Sequence, residues 1–413
     1  MSSLIGHGAD LNTICKDRDG YGNDVKWTPL HAAIYKEHRD IVLLLLEGGA
    51  DTETRSSKDK TALYMASSRG YADVVRPLID HGAGLNATCR ECDGEHGEVK
   101  WTSLHPAIYK EHRDIVLLLL EGGADTETWS SSDKTPLYMA SSRGYADVVS
   151  SLIDHVADLD TVCKDLDEYG NDVKWTPLVT AIYKGRRDIA LLLLEGGADA
   201  ETHISLDNTA LYMASSRGYA DVVRSLIGLG ADLNTICKDP DRYGNDVKWT
   251  PLHVALYNGR IPVARMLLAH GANPNAPDSL GGTALHLASS SHVEIAAIKK
   301  LLKYGANVDI RNKEGWTPLH KAAYNMNLDA VVVLLNRGAD PHARANNGKT
   351  PIQLANAPRS WIRTWDQDEI ITLLSGHTSD SRVYDHVTNQ GVDFSGSELL
   401  NSADAMDSQF QLV

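Results

Sequence analysis

A six-residue phrase recurs ten times along this chain and leaves little freedom in what it can fold into. It reads Thr28-Pro-Leu-His-Ala-Ala33, Thr61-Ala-Leu-Tyr-Met-Ala66, Thr102-Ser-Leu-His-Pro-Ala107 and Thr135-Pro-Leu-Tyr-Met-Ala140, and it starts again at Thr176, Thr209, Thr250, Thr283, Thr317 and Thr350. Successive intervals are 33, 41, 33, 41, 33, 41, 33, 34 and 33 residues. A near-constant period of this length marks an array of small supersecondary units, each with an apolar face that only a neighbouring unit can cover. The length of 413 residues agrees, since it exceeds what a single hydrophobic core usually serves.

Each unit carries the signals of two helices and a turn. Threonine suits the N-cap of a first helix, and proline suits its first turn, where the missing N–H costs nothing. A second helix follows, as in Asp40-Ile-Val-Leu-Leu-Leu-Leu-Glu47, with an acid near its start and glycine at its left-handed end. A polar stretch such as Thr52 to Lys60 then predicts a hairpin. The alternation of 33 and 41 makes the true duplicated unit a double repeat, in which one member is eight residues longer than the other. Cys15-Lys-Asp-Arg-Asp-Gly-Tyr-Gly-Asn-Asp-Val-Lys-Trp27 and Cys163-Lys-Asp-Leu-Asp-Glu-Tyr-Gly-Asn-Asp-Val-Lys-Trp175 show where the extra residues fall. They lengthen hairpins rather than helices, predicting four long fingers that end at Trp27, Trp101, Trp175 and Trp249.

The phrase and its period resemble the signature of the ankyrin-repeat family, over about residues 4–376. The resemblance implies an all-α ankyrin-repeat solenoid with β-hairpin fingers, about ten stacked helix-turn-helix repeats over residues 1–376. Within it, residues 1–12 read as a partial repeat and residues about 346–376 as an enlarged last one. The opening Leu4 to Asn12 looks like the end of a second helix without its first, so an upstream segment that completes the repeat is expected. The stretch Ala357 to Trp365, followed by Glu369 to Leu374, reads as a C-terminal cap. Residues 377–413 read as a disordered acidic tail, whose acidic and apolar mixture between Ser397 and Val413 is similar to an activation segment.

Composition restricts the partners. Aspartate and glutamate outnumber lysine and arginine 55 to 40, a net charge of −15, which argues against direct nucleic-acid binding and against an anionic membrane surface. The longest apolar runs, such as Ile41 to Leu46, are far shorter than the ~20 residues that cross a bilayer. The N-terminus has no secretory pattern, so an intracellular protein, cytoplasmic or nuclear, is expected. Four of the five cysteines, Cys15, Cys89, Cys163 and Cys237, recur once per double repeat and point the same way, which predicts free thiols.

No residue pattern predicts catalysis, a cofactor or a metal site. His31, His105, His253, His286 and His320 share one slot of the phrase, and the resemblance implies structural hydrogen bonds between neighbouring turns. Cys89 and Cys92 with His96 resemble half of a zinc site but occur in one finger of four. The finger from Asp17 lacks the glutamate that a calcium loop needs at its twelfth position, where Thr28 stands. Asn347-Gly-Lys-Thr350 lacks the first glycine of a phosphate-binding loop, Ala343 taking its place. No Gly-x-Ser-x-Gly elbow, kinase signature or His-Glu-x-x-His is present.

The resemblance implies a non-enzymatic scaffold or adaptor that grips a protein partner with its hairpin tips and first helices. The positions it assigns to the groove are Tyr35 and Lys36, Ser68 and Arg69, Tyr109 and Lys110, Ser142 and Arg143, Tyr183 and Lys184, and Ser216 and Arg217, continuing at Tyr257 and Tyr324. Lys36, Arg69, Lys110, Arg143, Lys184 and Arg217 form a row of cations, which suits an extended acidic or phosphorylated segment bound by a monomer. The competing reading is that Glu37, Glu111 and the finger aspartates neutralise that row. If the groove does not bind, the finger residues Tyr21, Tyr169 and Tyr243 are the next candidates. Two other functions stay open: a transcription coregulator or inhibitor that holds a transcription factor, and a sensor or scaffold fragment of a larger ankyrin protein.

Two departures from the repeat predict weak points. Val156 stands where Gly82 and Gly230 occupy the left-handed helix end, and Pro77 stands inside a second helix where the other copies have Ser151 and Ser225.

Overall fold

The computed structural model describes residues 9–18, 24–92, 98–130, 132–167, 170, 172–201, 208–240, 246–290, 295–357 and 365–376. Within them lie ten helix pairs, from Pro29–Tyr35 with Arg39–Glu47 to Pro351–Ala355 with Trp365–Gly376. The helices are short, and isolated helices of five to nine residues are unstable in water, so packing rather than propensity holds them. First helices pack on first helices of adjacent repeats, and second helices on second helices. Their buried side chains make one continuous core from Leu30 to Leu374. The last helix covers the end of that core with Ile370 and Leu374 buried and Asp366, Asp368 and Glu369 exposed, the outline of a polar cap.

The local signals act as the residue types dictate. Thr28, Thr61, Thr135, Thr176 and Thr209 are extended and accept a hydrogen bond from the N–H three residues on. Where Ser103 replaces proline, the helix starts later, at Leu104, and Ser103 makes no side-chain cap bond. Left-handed backbone follows the second helices at Gly49, Gly82, Gly123, Gly197, Gly230 and Gly271, and Val156 adopts the same conformation at φ 60° with its side chain exposed. Pro77 lies inside the helix Ala72–Asp80, which continues past it through the bond from His81 N–H to the Pro77 carbonyl.

Four two-stranded antiparallel hairpins interrupt the helices, pairing Cys15 with Trp27, Cys89 with Trp101, Cys163 with Trp175 and Cys237 with Trp249. These are the bases of the long fingers. The buried cysteines Cys89, Cys163 and Cys237 are free thiols, and Cys15 is free and exposed. Burial pushes the Cys89 and Cys163 thiols above their ordinary pKa.

Side chains tie adjacent repeats at fixed offsets. The Asp51, Asp125, Asp199 and Asn273 N–H groups donate to the side chains of Asn12, Asn86, Asp160 and Asn234 at 2.8–2.9 Å, always 39 residues back. The Gly84, Asp158 and Asp232 N–H groups donate likewise to Glu53, Glu127 and Glu201, 31 residues back. The tail at 377–413, the partial repeat before residue 9 and most of the stretch 357–365 lie outside the described residues.

Candidate protein-binding face

Stacked first helices carry the groove positions, and the double repeat orders them into recurring stacks. The Trp that ends a long finger meets the Tyr eight residues on: ring centroids are 4.4 Å apart for Trp27 and Tyr35, 5.2 Å for Trp101 and Tyr109, 4.3 Å for Trp175 and Tyr183, and 4.6 Å for Trp249 and Tyr257. Trp316 and Tyr324 repeat the pair at 5.1 Å beyond the duplicated units. Over the rings of three of these tyrosines comes an arginine from the following repeat. The guanidinium carbons lie 4.3 Å from the Tyr35 centroid for Arg69, 4.0 Å from Tyr109 for Arg143 and 5.1 Å from Tyr183 for Arg217. An arginine held by its face keeps its in-plane N–H donors for another partner.

Two of the acids expected to neutralise this row pair with other cations. Glu37 pairs with Arg39 at 3.1 Å and Glu111 with Arg113 at 2.7 Å. Arg39, Arg113 and Arg187 also bridge to Asp73, Asp147 and Asp221 of the following repeat, at 2.7, 3.3 and 2.6 Å. A second, neutralised row of arginines therefore runs along the start of the second helices. Among the described residues no carboxylate pairs with Arg69, Arg143 or Arg217. Lys36 is exposed, Lys110 donates to Ser68 Oγ at 2.9 Å, and the Lys184 ammonium lies 5.4 Å from the Tyr183 ring. Ser142 is half-buried and Ser216 accepts from Asn258 at 3.0 Å. Tyr21, Tyr169 and Tyr243 lie outside the described residues, as do His96 and the Cys92 side chain.

The histidine slot is structural where its bonds are seen. His31, His286 and His320 bridge through Nε2 to the carbonyls of Lys60, Trp316 and Lys349 at 2.9, 3.0 and 3.2 Å, across the hairpin that follows. Burial pushes His105, His253 and His286 down to about 4, and also lowers His31 and His320, so all five are neutral near pH 7. The described residues contain no group of three or more candidate metal ligands.

One relationship escaped the reading of the sequence. Tyr64, Tyr138 and Tyr212 replace histidine in the repeats that precede long fingers, and each is buried. Tyr64 and Tyr212 pack against the cysteine and tryptophan at the finger base, Cys89 with Trp101 and Cys237 with Trp249. Tyr138 reaches into its finger, donating to Asp165 Oδ2 at 2.7 Å while Thr180 donates to the Tyr138 oxygen at 3.2 Å. Lys134 binds Asp165 Oδ1 at 2.9 Å. Burial acts to raise the Asp165 carboxyl, but the hydrogen bonds from Tyr138 and Lys134 more than offset it and hold it below the ordinary range. The signal was in the sequence: tyrosine takes this slot in each repeat that precedes a long finger, in phase with the 33-to-41 alternation, although Val179 rather than histidine stands in one of the repeats between.

No helix among the described residues is long and apolar enough to cross a membrane. The family model for ankyrin repeats, three copies at a time, matches in nine overlapping segments from residues 1–89 to 294–380. Among curated proteins, the ankyrin repeat protein FPV031 of fowlpox virus (strain NVSL) is 36% identical over 176 residues, 41% of this chain and 48% of the relative. Ankyrin repeat and SOCS box protein 16 of Mus musculus is 31% identical over 243 residues, 57% of this chain and 48% of the relative. The B-cell lymphoma 3 protein homolog of Mus musculus is 28% identical over 261 residues, covering 61% and 53%. The chain thus spans about half the length of these relatives. With ten capped helix pairs stacked on one core and the family model matched from end to end of the array, this chain belongs to the ankyrin-repeat family, whose repeats form protein–protein interaction modules.

Proposed function

We propose that the chain is a non-enzymatic adaptor that holds an extended acidic segment of a protein partner along its first-helix face. The observation that carries this reading is the row of arginines Arg69, Arg143 and Arg217, each laid on a tyrosine of the preceding repeat and none bound to a carboxylate among the described residues. Aromatic stacking fixes the arginines in advance, so less side-chain freedom is lost when a partner binds. Tyrosine and arginine are also the residue types that dominate binding energy at interfaces. The net charge of −15 makes this row a local exception on an acidic molecule, favouring an acidic segment in one place and repelling it elsewhere.

The test is charge reversal. An unphosphorylated peptide rich in aspartate and glutamate is titrated into the full chain at several salt concentrations. Arg69→Glu with Arg217→Glu is expected to weaken binding at least tenfold and to flatten its salt dependence, whereas Arg224→Glu, at an exposed position of the second helix Ala220–Gly228, leaves both unchanged. Salt-insensitive binding, or binding that survives the double reversal, overturns the reading and directs attention to the fingers.

A further inference from the structure

The arginine stacks recur with each unit, but their surroundings do not. In the middle of the array, between the repeat of Pro136–Arg143 and that of Pro177–Tyr183, a cavity of ≈ 460 Å³ opens on the first-helix face. Trp101 and Tyr109 line one part of it, and Arg143, Lys184 and Arg186 line another. Arg143 lies on the Tyr109 ring, and the Lys184 ammonium is near the Tyr183 ring. Arg186 packs over Gly144, so closely that a Cβ there would come within 2.9 Å of its Nε, and so lies against the residue that follows Arg143 in the chain. Among the described residues, none of these three cations has a hydrogen bond or an ion pair.

The cavity's one acid is already satisfied. Asp165 takes Lys134 on Oδ1 and Tyr138 on Oδ2, so the Lys134–Asp165 pair is neutral within itself and both carboxylate oxygens are occupied. Three like charges therefore converge on one cavity with no counter-ion beside them. Such an arrangement raises the local positive potential and is relieved when an anion binds.

Equivalent places elsewhere in the array are not built this way. In the preceding unit, Arg69 and Lys110 are accompanied by Glu111 and His112, and Lys110 donates to Ser68. In the following unit, Arg217 and Arg260 are accompanied by Asn258, which donates to Ser216, and Arg260 is bonded through Nε to the Ser216 carbonyl. The middle unit alone among the three combines Gly185 in place of glutamate, Arg186 in place of histidine, and lysine at 184. Relative to the preceding unit, glycine for glutamate and arginine for histidine each add positive charge, and relative to the following unit, Lys184 in place of Asn258 adds one more.

We propose that this cavity is a subsite for a phosphomonoester carried by a protein partner, with Arg143 and Arg186 donating N–H groups to its oxygens and Lys184 adding charge. A phosphorylated side chain brings close to two negative charges and three acceptor oxygens, which a cluster of arginines matches better than a single carboxylate does. The proposal rests on the reading of this face as a partner-binding surface and assigns the residue that a partner would place at its centre.

The full chain is titrated with a short glycine and alanine peptide bearing one phosphoserine, with the same peptide unphosphorylated, with inorganic phosphate, and with vesicles containing phosphoinositides. The decisive variant carries Gly185→Glu and Arg186→His, which transplants the residues that the preceding units carry at Glu37-His38 and Glu111-His112. Glu37 and Glu111 already hold this backbone position at φ 59° and 63°, so the fold tolerates the change, as circular dichroism checks. The phosphopeptide is expected to bind at least tenfold better than its unphosphorylated form and to lose at least tenfold in the variant. The matching pair Gly259→Glu and Arg260→His in the following unit should change its binding less than twofold. Inorganic phosphate is expected to compete only at far higher concentration. Equal binding of the two peptides, undiminished binding by the variant, inorganic phosphate as strong as the phosphopeptide, or binding confined to vesicles each overturns the proposal. The acidic unphosphorylated peptide, with its dependence on Arg69 and Arg217, separates this failure from failure of the wider reading.

Discussion

The guanidinium of Arg143 rests 4.0 Å from the ring centroid of Tyr109, which belongs to the preceding repeat and leans in turn on Trp101 at the base of a finger. A hairpin, the first helix that follows it and the first helix of the next repeat are thereby coupled through one stack. The same order recurs one double repeat earlier with Trp27, Tyr35 and Arg69 and one double repeat later with Trp175, Tyr183 and Arg217.

The stack should reward a planar cation specifically. Arg143→Lys keeps the charge but loses the flat guanidinium, and is expected to lower the unfolding free energy by about 0.5–1 kcal/mol, the usual range for an exposed cation–π contact. Urea denaturation measures it. An unchanged midpoint would mean that the stack is held by backbone packing alone.

Val156 sits at φ 60° and is 86% exposed, so it carries backbone strain without burying its side chain in return. Val156→Gly is expected to stabilise the array by about 1–2 kcal/mol. The denaturation midpoint is the readout, and the gain should be absent for the same residue change at an ordinary helical valine such as Val149.

Pro77 removes one donor from the ladder of its helix, leaving the Asp73 carbonyl without the usual N–H four residues on. Pro77→Ser, the residue that the two other copies carry, is expected to raise stability by up to about 3 kcal/mol. Amide hydrogen exchange across Ala72–Asp80 should slow in the variant, and exchange that stays the same would show the helix to have adapted already.

The buried histidines set a pH limit. His105, His253 and His286 titrate at about 4 in the fold against about 6.5 in an unfolded chain, so the unfolded state binds more protons between these values. Their contribution is fully present above about pH 6.5 and is lost as pH falls towards 4, by about 1.4 kcal/mol per pH unit for each histidine. Urea midpoints recorded from pH 7 to pH 4 should fall steeply, and His253→Asn should reduce that slope.

Asp160 is the charged exception in a ladder otherwise made by Asn12, Asn86 and Asn234. Burial, followed by the nearby Asp199 and Asp158 carboxylates, raises its pKa, although the Asp199 N–H opposes the shift. A raised carboxyl stabilises the fold only at acid pH and ceases to do so as pH rises through the folded value. Asp160→Asn keeps the acceptor for the Asp199 N–H, so the thermal midpoint should rise at pH 7 and change little near pH 3.

The array was legible in the sequence because its determinants are local and repeated: threonine caps, glycine helix ends and the apolar spacing each specify a few neighbouring residues. Val156 and Pro77 could be recognised for the same reason, as misfits against their own copies. The charge balance of the binding face was not legible, because Glu37 and Glu111 lie closer in sequence to Lys36 and Lys110 than to Arg39 and Arg113, and only side-chain direction decides which cation they meet. Nor was the bond between Tyr138 and Asp165, which spans 27 residues and depends on how far a finger strand reaches over the repeat before it.

The ties between repeats have a consequence for how a gene of this kind can change. Asn12 with Asp51, Asn86 with Asp125, Asp160 with Asp199 and Asn234 with Asn273 make the same bond at four places, each one double repeat beyond the last. Unequal recombination that removes or adds one whole double repeat rejoins equivalent partners at the seam, with no new surface to invent. Inheritance can thus lengthen or shorten the face in steps of one stack, while single positions such as Lys184 and Asn258 differ from step to step.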